Sequence, residues 1–258
     1  MTGATVARMG ELVRLGIDGG VATITLDSQH NRNALSKRLV AELESAIGEA
    51  GDAGARAIVL GHEGPAFCAG ADLNERSDDG GAPDSRPFVR ILERLMDSPV
   101  PTIAAVHGAV RAGGIGLMAS CDLVVVHSSV TFALTEVRIG VAPAIISVPI
   151  LRRVPPGKIA AAMLTGEQFD AFEARSIGLV THVTDDVAAG VSALCDGITA
   201  GAPRAVTETK RMLHRVPTLD RSAAFVEMSA LSEELFAGPD AREGMAAFRE
   251  KRRPAWPS

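Results

Sequence analysis

The chain has 258 residues, 47% hydrophobic and 22% charged, with a formal net charge of -5. That balance suits a globular protein with a substantial core, excludes a disordered or collagen-like chain, and argues against a nucleic-acid partner. Cys68, Cys121 and Cys195 are odd in number and far apart, which fits neither a disulfide framework nor a close zinc-ligand spacing and suggests a reducing, cytoplasmic setting.

The amino-terminal stretch lacks an apolar core with a small-residue cleavage site, and the longest apolar run, near Val141 to Leu151, is short and broken by prolines. Neither a signal peptide nor a membrane span is expected. Leu12 to Ile17 and Val21 to Leu26 alternate around Asp18-Gly19-Gly20, which predicts a hairpin. Ser36 is placed to cap a helix with Leu39, Val40, Leu43 and Ile47 at helical spacing; Gly51 would stop it before a strand over Ala55 to Leu60. Asp72 to Pro87, rich in Asp, Gly and Pro, reads as a mobile loop before a helix over Phe88 to Met96 that Pro99 and Pro101 end. A strand over Thr102 to Val106, a glycine-rich turn into a helix near Gly113, and a strand over Asp122 to Val126 follow. Such alternation predicts an α/β fold with a sheet covered by helices. Beyond about Val183 the pattern turns helical: Val187 to Thr199, Arg204 to Leu213, Arg221 to Phe236 and Ala241 to Arg252.

Two glycine-containing turns are candidates for chemistry: Phe67-Cys68-Ala69-Gly70-Ala71-Asp72, and His107-Gly108 with Ala112-Gly113-Gly114-Ile115-Gly116. Small residues let a backbone approach a ligand closely, and free amides at a turn and a helix start attract a phosphate or a reacting carbonyl oxygen. The plainer reading is tight turns and close helix packing. Glu136, at the exit of a strand-like run, could exchange a proton if apolar neighbours desolvate it; the alternative is a surface pair with Arg138 or Arg111. His107 is read as the brace of a turn. His30, His62, His127, His182 and His214 show no helical metal-ligand spacing, so no metal is expected. Cys68 and Cys121 are read as small hydrophobes, and Lys251-Arg252-Arg253 as a solvated helix end.

Together these pieces resemble the enoyl-CoA hydratase/isomerase, or crotonase, family. The resemblance rests on Asn33-Ala34-Leu35-Ser36, Phe67 to Leu73, Ala104 to Gly108 with Ala112-Gly113-Gly114, Cys121-Asp122, Phe132 to Glu136 with Gly140 and Pro143, Leu164-Thr165-Gly166, Ala174 to Val180, and the stretch from Glu243 to Pro254. It implies a crotonase-like spiral of β-β-α turns over residues 1–196 and a carboxyl-terminal helical trimerisation region over 197–258, in a homotrimer or hexamer. It also implies an acyl-CoA substrate, with no cofactor beyond the CoA of the substrate itself. The oxyanion donors would be the Ala71 and Gly113 amides, the acid/base Glu136, and the substrate-binding positions Ala34, Ala69, Gly70, Asp72, Leu73 and Gly114. The second acid of typical hydratases falls on Gly116, and the aspartate of the hydrolase branch near Ala144. Neither supplies a carboxylate, so hydration and double-bond isomerisation both stay open. Hydration would need a water held with help from Glu75, Asp78 or Asp79. Alternatives are a noncatalytic acyl-CoA-binding protein, or decarboxylation or carbon-carbon cleavage through the same enolate. Candidates for the CoA phosphates are Arg32, Arg76, Arg111 and the Lys251 to Arg253 run.

Overall fold

The computed structural model describes residues 6–75 and 84–256. Arg76, Asp78 and Asp79 lie outside them, as does half of the expected loop from Asp72 to Pro87. The hairpin forms from β2 (Val13–Asp18) and β3 (Val21–Leu26), with β1 (Val6–Met9) added antiparallel at its edge. Helix α1 (Lys37–Asp52) begins where Ser36 Oγ accepts the Leu39 N–H at 3.2 Å. Its buried stripe is Leu39, Val40, Leu43, Ala46, Ile47 and Ala50. The helix runs past Gly51, because glycine weakens a helix without ending it, and the chain reverses at Gly54, whose φ is +70°.

From β4 the chain repeats a strand-strand-helix unit three times. The units are β4 (Ala57–His62), β5 (Ala66–Cys68) and α2 (Arg86–Met96); β6 (Thr102–Val106), β7 (Ala109–Arg111) and α3 (Gly113–Ala119); and β8 (Leu123–His127), β9 (Thr131–Ala133) and α4 (Ala144–Arg153). The first strand of each unit joins a seven-stranded sheet ordered β1-β2-β3-β4-β6-β8-β11, where β11 is His182–Thr184. The second strand joins a four-stranded sheet ordered β10-β9-β7-β5, where β10 is Gln168–Asp170. The expected β-β-α spiral is therefore present. Its units stack in parallel, β4 on β6 on β8 and β5 on β7 on β9. The long strands β4, β6 and β8 are mainly apolar and largely buried, as strands of a parallel sheet covered on both faces must be.

After α5 (Pro156–Thr165) and α6 (Ala171–Ser176), α7 (Val187–Ala200) lies against the large sheet. Its Cys195 packs in a small buried cluster with Val59, Ile103 and Val125, and residue 197 lies within this helix. The rest of the chain forms α8 (Pro203–Arg215), α9 (Arg221–Ala237) and α10 (Pro239–Glu250). Lys210 fastens α8 to the core. Its buried ammonium pairs with Asp122 Oδ2 at 2.8 Å and donates to the Leu95 and Val100 carbonyls at 3.3 and 3.1 Å. Phe225, Val226, Phe236 and Phe248 on α9 and α10 stay exposed.

Candidate active site

Because β5, β7 and β9 run parallel and side by side, their carboxyl ends emerge at one edge of the small sheet. Ala71 lies three residues beyond the end of β5, Gly113 two beyond β7, and Glu136 three beyond β9. Neighbouring strands thus deliver the three expected catalytic positions in the order amide, amide, carboxylate.

The two turns pack backbone against backbone. Gly70 has φ +93°, and a Cβ placed on it would stand 2.8 Å from Ala112 Cβ and 3.6 Å from Gly113 N. A Cβ on Gly113 would lie 2.8 Å from Leu35 Cδ1, 3.7 Å from Gly70 Cα and 3.8 Å from Phe88 Cζ. At position 70 the positive φ and the rigid Ala112 contact call for glycine, while at 113 an added Cβ would have to push the end of the Leu35 side chain aside. Ala112, between them in space, holds φ 48°, an unusual value for a residue with a side chain, and its N–H is fixed to Ala133 O at 3.0 Å. Strain of this kind persists where surrounding structure enforces it. The first turn is fixed by a one-residue parallel bridge between Leu35 and Ala71, in which Leu35 N donates to Gly70 O at 2.7 Å. Neither the Ala71 nor the Gly113 N–H has an acceptor among the described residues. Two unsatisfied amides beside an apolar wall of Leu35 and Phe88 are suited to an oxygen that carries developing negative charge.

The Asn33-Ala34-Leu35-Ser36 motif explains how Leu35 arrives there. Asn33 is fully buried in a left-handed conformation; its Oδ1 accepts from Ser28 N at 2.7 Å, and its Nδ2 donates to Ala66 O at 2.8 Å and Glu63 O at 3.1 Å. One side chain therefore ties this loop to the start of β5.

Glu136 sits in a short 3-10 turn, Thr135–Ile139, half-buried, with Oε2 sequestered and without a hydrogen-bond partner among the described residues. Burial pushes its pKa above the ordinary carboxylate value, against an opposing hydrogen bond from its own amide. The surface-pair alternative fails. Arg138 donates to Thr165 O at 2.9 Å, and Arg111 is taken up by the Val110 and Thr131 carbonyls, Thr131 Oγ1 and Gln168 Oε1.

The expected substrate-binding positions divide. Gly70 adjoins the amide pair, and Ala69, whose N–H bonds Arg32 O at 3.1 Å, lies just before it. Leu73 is exposed beyond Ala71. Ala34 and Gly114 are buried inside the scaffold. Gly114 backs onto Cys68, whose Cβ would stand 2.7 Å from an added Cβ. Asp72 has a local role, since Oδ2 accepts from Asn31 Nδ2 at 2.9 Å and Oδ1 from Asn74 N at 3.0 Å. Glu75, a candidate for holding water, instead accepts the Lys37 N–H at 2.7 Å at the start of α1.

The remaining sequence candidates serve the scaffold. The rings of His107 and His62 stack at 3.7 Å, and His62 Nε2 accepts the His107 N–H at 3.1 Å. Burial, reinforced by His107, lowers the His62 pKa to about 4, so this acceptor stays neutral. Burial raises the Cys68 and Cys121 thiols to about 12, which removes the thiolate a nucleophile needs. Arg252 pairs with Glu243 and Glu250. No cluster of metal-ligating side chains and no helix long and apolar enough to cross a membrane occurs among the described residues.

Gly116 is one turn beyond Gly113 on the same face of α3. A Cβ there would lie 2.3 Å from Ile146 Cγ2 and 2.5 Å from Ile146 Cβ. Beyond lacking a carboxylate, this position has its side-chain space filled from α4. Sequence reasoning places Phe88 and Ile146 in stretches expected to contribute pocket residues, Asp72 to Met96 and Ile145 to Val154, but singles out neither, because both approach the site only through tertiary packing. Leu35 lies inside the Asn33-Ala34-Leu35-Ser36 motif, but its contact with the second turn carries no sequence signal.

The enoyl-CoA hydratase/isomerase profile matches residues 16–258. A Thermus thermophilus protein provisionally named an enoyl-CoA hydratase is 35% identical over 245 residues, covering 92% of this chain and 97% of that one. The human mitochondrial enoyl-CoA hydratase domain-containing protein 3 is 31% identical over 245 residues, covering 92% and 80%. The crystal structure of a Mycobacterium smegmatis enoyl-CoA hydratase superposes with a TM-score of 0.87 at 32% identity, covering 96% of this chain and 99% of that one.

Proposed function

Because the chain belongs to the enoyl-CoA hydratase/isomerase family, we propose that it is an enzyme acting on an enoyl-CoA thioester, with Glu136 as a single proton carrier and the Ala71 and Gly113 amides as the oxyanion site. The thioester oxygen accepts both N–H groups. Glu136 takes a proton from the α-carbon of a 3-enoyl chain, the electron pair moves onto the oxygen, and the same carboxyl returns the proton at the γ-carbon. The double bond shifts from the 3 to the 2 position. The proton count closes and no oxidation state changes, so the step needs no further co-reactant. Each amide acts where charge develops, and losing one donor costs on the order of 3 kcal/mol of transition-state stabilisation.

The observation that carries this reading is the buried, unpartnered Glu136 Oε2 at a strand exit neighbouring two unsatisfied amides. The filled space at Gly116 favours isomerisation over hydration, because no second carboxylate fits there. Arg32 is the preferred partner for a CoA phosphate. It is exposed beside the first amide turn, and its side chain has no partner among the described residues. The exposed aromatic side chains of α9 and α10 suit burial in a trimer of this chain. The test is incubation of a straight-chain 3-enoyl-CoA in D2O with wild type and Glu136→Gln. Solvent deuterium in a 2-enoyl product, lost with the variant, supports the reading. Tight binding with neither the 2-enoyl product nor exchange would instead make this a noncatalytic acyl-CoA-binding protein.

A further inference from the structure

Resting on the single-carboxylate reading, we infer that Ile146 determines the outcome of the reaction: it fills a position on α3 from which a second polar group or a held water would overhang the amide pair, so that the dienolate is reprotonated and the 2-enoyl thioester is not hydrated. The two outcomes make different demands. Isomerisation needs one base. Hydration needs a water oxygen to bond to the β-carbon while a base takes its proton and another proton reaches the α-carbon, so the water itself has to be held.

Helix α3 is the natural source of that hold, since its first residue supplies the Gly113 amide and the next position on the same face is Gly116. The helix runs Gly113-Gly114-Ile115-Gly116-Leu117-Met118-Ala119 and carries no polar side chain. The space over Gly116 is not open to solvent either. Ile146 Cγ2 lies 2.3 Å from an ideal Cβ at that position, which leaves no room for a methyl group, a carboxylate or a water in its place. Ile146 is 4% exposed and belongs to the main core together with Ile150 one turn on, so it is braced against swinging aside. Gly116 and Ile146 form a matched pair. Glycine lets α4 close onto α3, and the β-branched side chain fills what glycine leaves.

The experiment gives the full-length wild type, Ile146→Ala, Ile146→Val and the double variant Gly116→Glu/Ile146→Ala a straight-chain 2-enoyl-CoA and its 3-enoyl isomer in D2O. Mass spectrometry then reads the ratio of 3-hydroxyacyl-CoA to deuterium-exchanged or isomerised enoyl-CoA. A merely structural residue would lower both products together. The expected result is a ratio raised about tenfold or more in Ile146→Ala and further in the double variant. If alanine prevents folding, Ile146→Val carries the comparison, with a smaller rise expected. An unchanged ratio in folded variants that still exchange deuterium overturns the role of Ile146 and leaves the proton shuttle standing. A wild type that neither interconverts the two enoyl isomers nor exchanges deuterium, or that makes hydroxyacyl-CoA as its main product, overturns the shuttle reading and this inference with it.

Discussion

Asp122 and Glu136 bracket the β8–β9 unit, and the two carboxylates are treated in opposite ways. Asp122 accepts from Thr102 N at 2.7 Å and Thr102 Oγ1 at 3.0 Å and pairs with Lys210 Nζ at 2.8 Å. Glu136 has a buried oxygen with no partner among the described residues. A satisfied buried charge specifies structure, whereas an unsatisfied one is unfavourable for the free protein and available to a ligand. The contrast separates the region that fastens the carboxyl-terminal helices from the region equipped for proton transfer.

The largest effect expected from breaking the contrast is at Glu136. Glu136→Gln should lower kcat by about 10²–10⁴-fold while leaving acyl-CoA affinity within several-fold, read by steady-state kinetics and calorimetry. Retained turnover would remove Glu136 from the chemistry. At the other carboxylate the loss should appear in stability. Lys210→Met removes the counter-ion of the largely buried Asp122, leaves it only the Thr102 hydrogen bonds and nearby His214, and should cost about 1–3 kcal/mol in chemical denaturation. Turnover by the folded fraction should persist.

Gly70→Ala sharpens the comparison from the amide side. Alanine would have to hold φ +93° and bring its Cβ within 2.8 Å of Ala112 Cβ. About 1–3 kcal/mol of stability should be lost through backbone strain, and kcat/KM should fall because the Ala71 amide is displaced.

The smallest effect is in the pH profile. Burial raises the folded-state pKa of Glu136, so between the ordinary glutamate value and the raised one the folded chain keeps a proton that the unfolded chain has released. Stability therefore falls as pH rises through that window, and at neutral pH the ionised Glu136 is destabilising. Glu136→Gln should raise the Tm at neutral pH and leave it unchanged below the ordinary carboxylate range. Activity runs the other way, because the base must be ionised. The acid limb of kcat/KM should lie above the ordinary glutamate value.

What was legible in the sequence is what local rules control. Ser36 caps α1 as its type suggests, Thr102–Val106 is the strand its apolar run predicts, and Gly113 opens α3. Three-residue strands such as β7 are too short to show a period, and their order in the small sheet comes from stacking of the repeated units. Helix α4 shows in the sequence only as an apolar run with prolines, because Pro149 lies inside it. The pairing of Asp122 with Lys210 joins residues far apart in the chain, and composition cannot reveal it. Gly116 illustrates the remaining limit: sequence shows a carboxylate missing there, and packing shows Ile146 in its space.

The most direct test is a crystal structure with an acyl-CoA bound. The account predicts the thioester oxygen about 2.7–3.1 Å from both the Ala71 and Gly113 nitrogens, with Glu136 facing the α-carbon. A thioester oxygen held by other groups, or an acyl chain on a different face from Glu136, would contradict it.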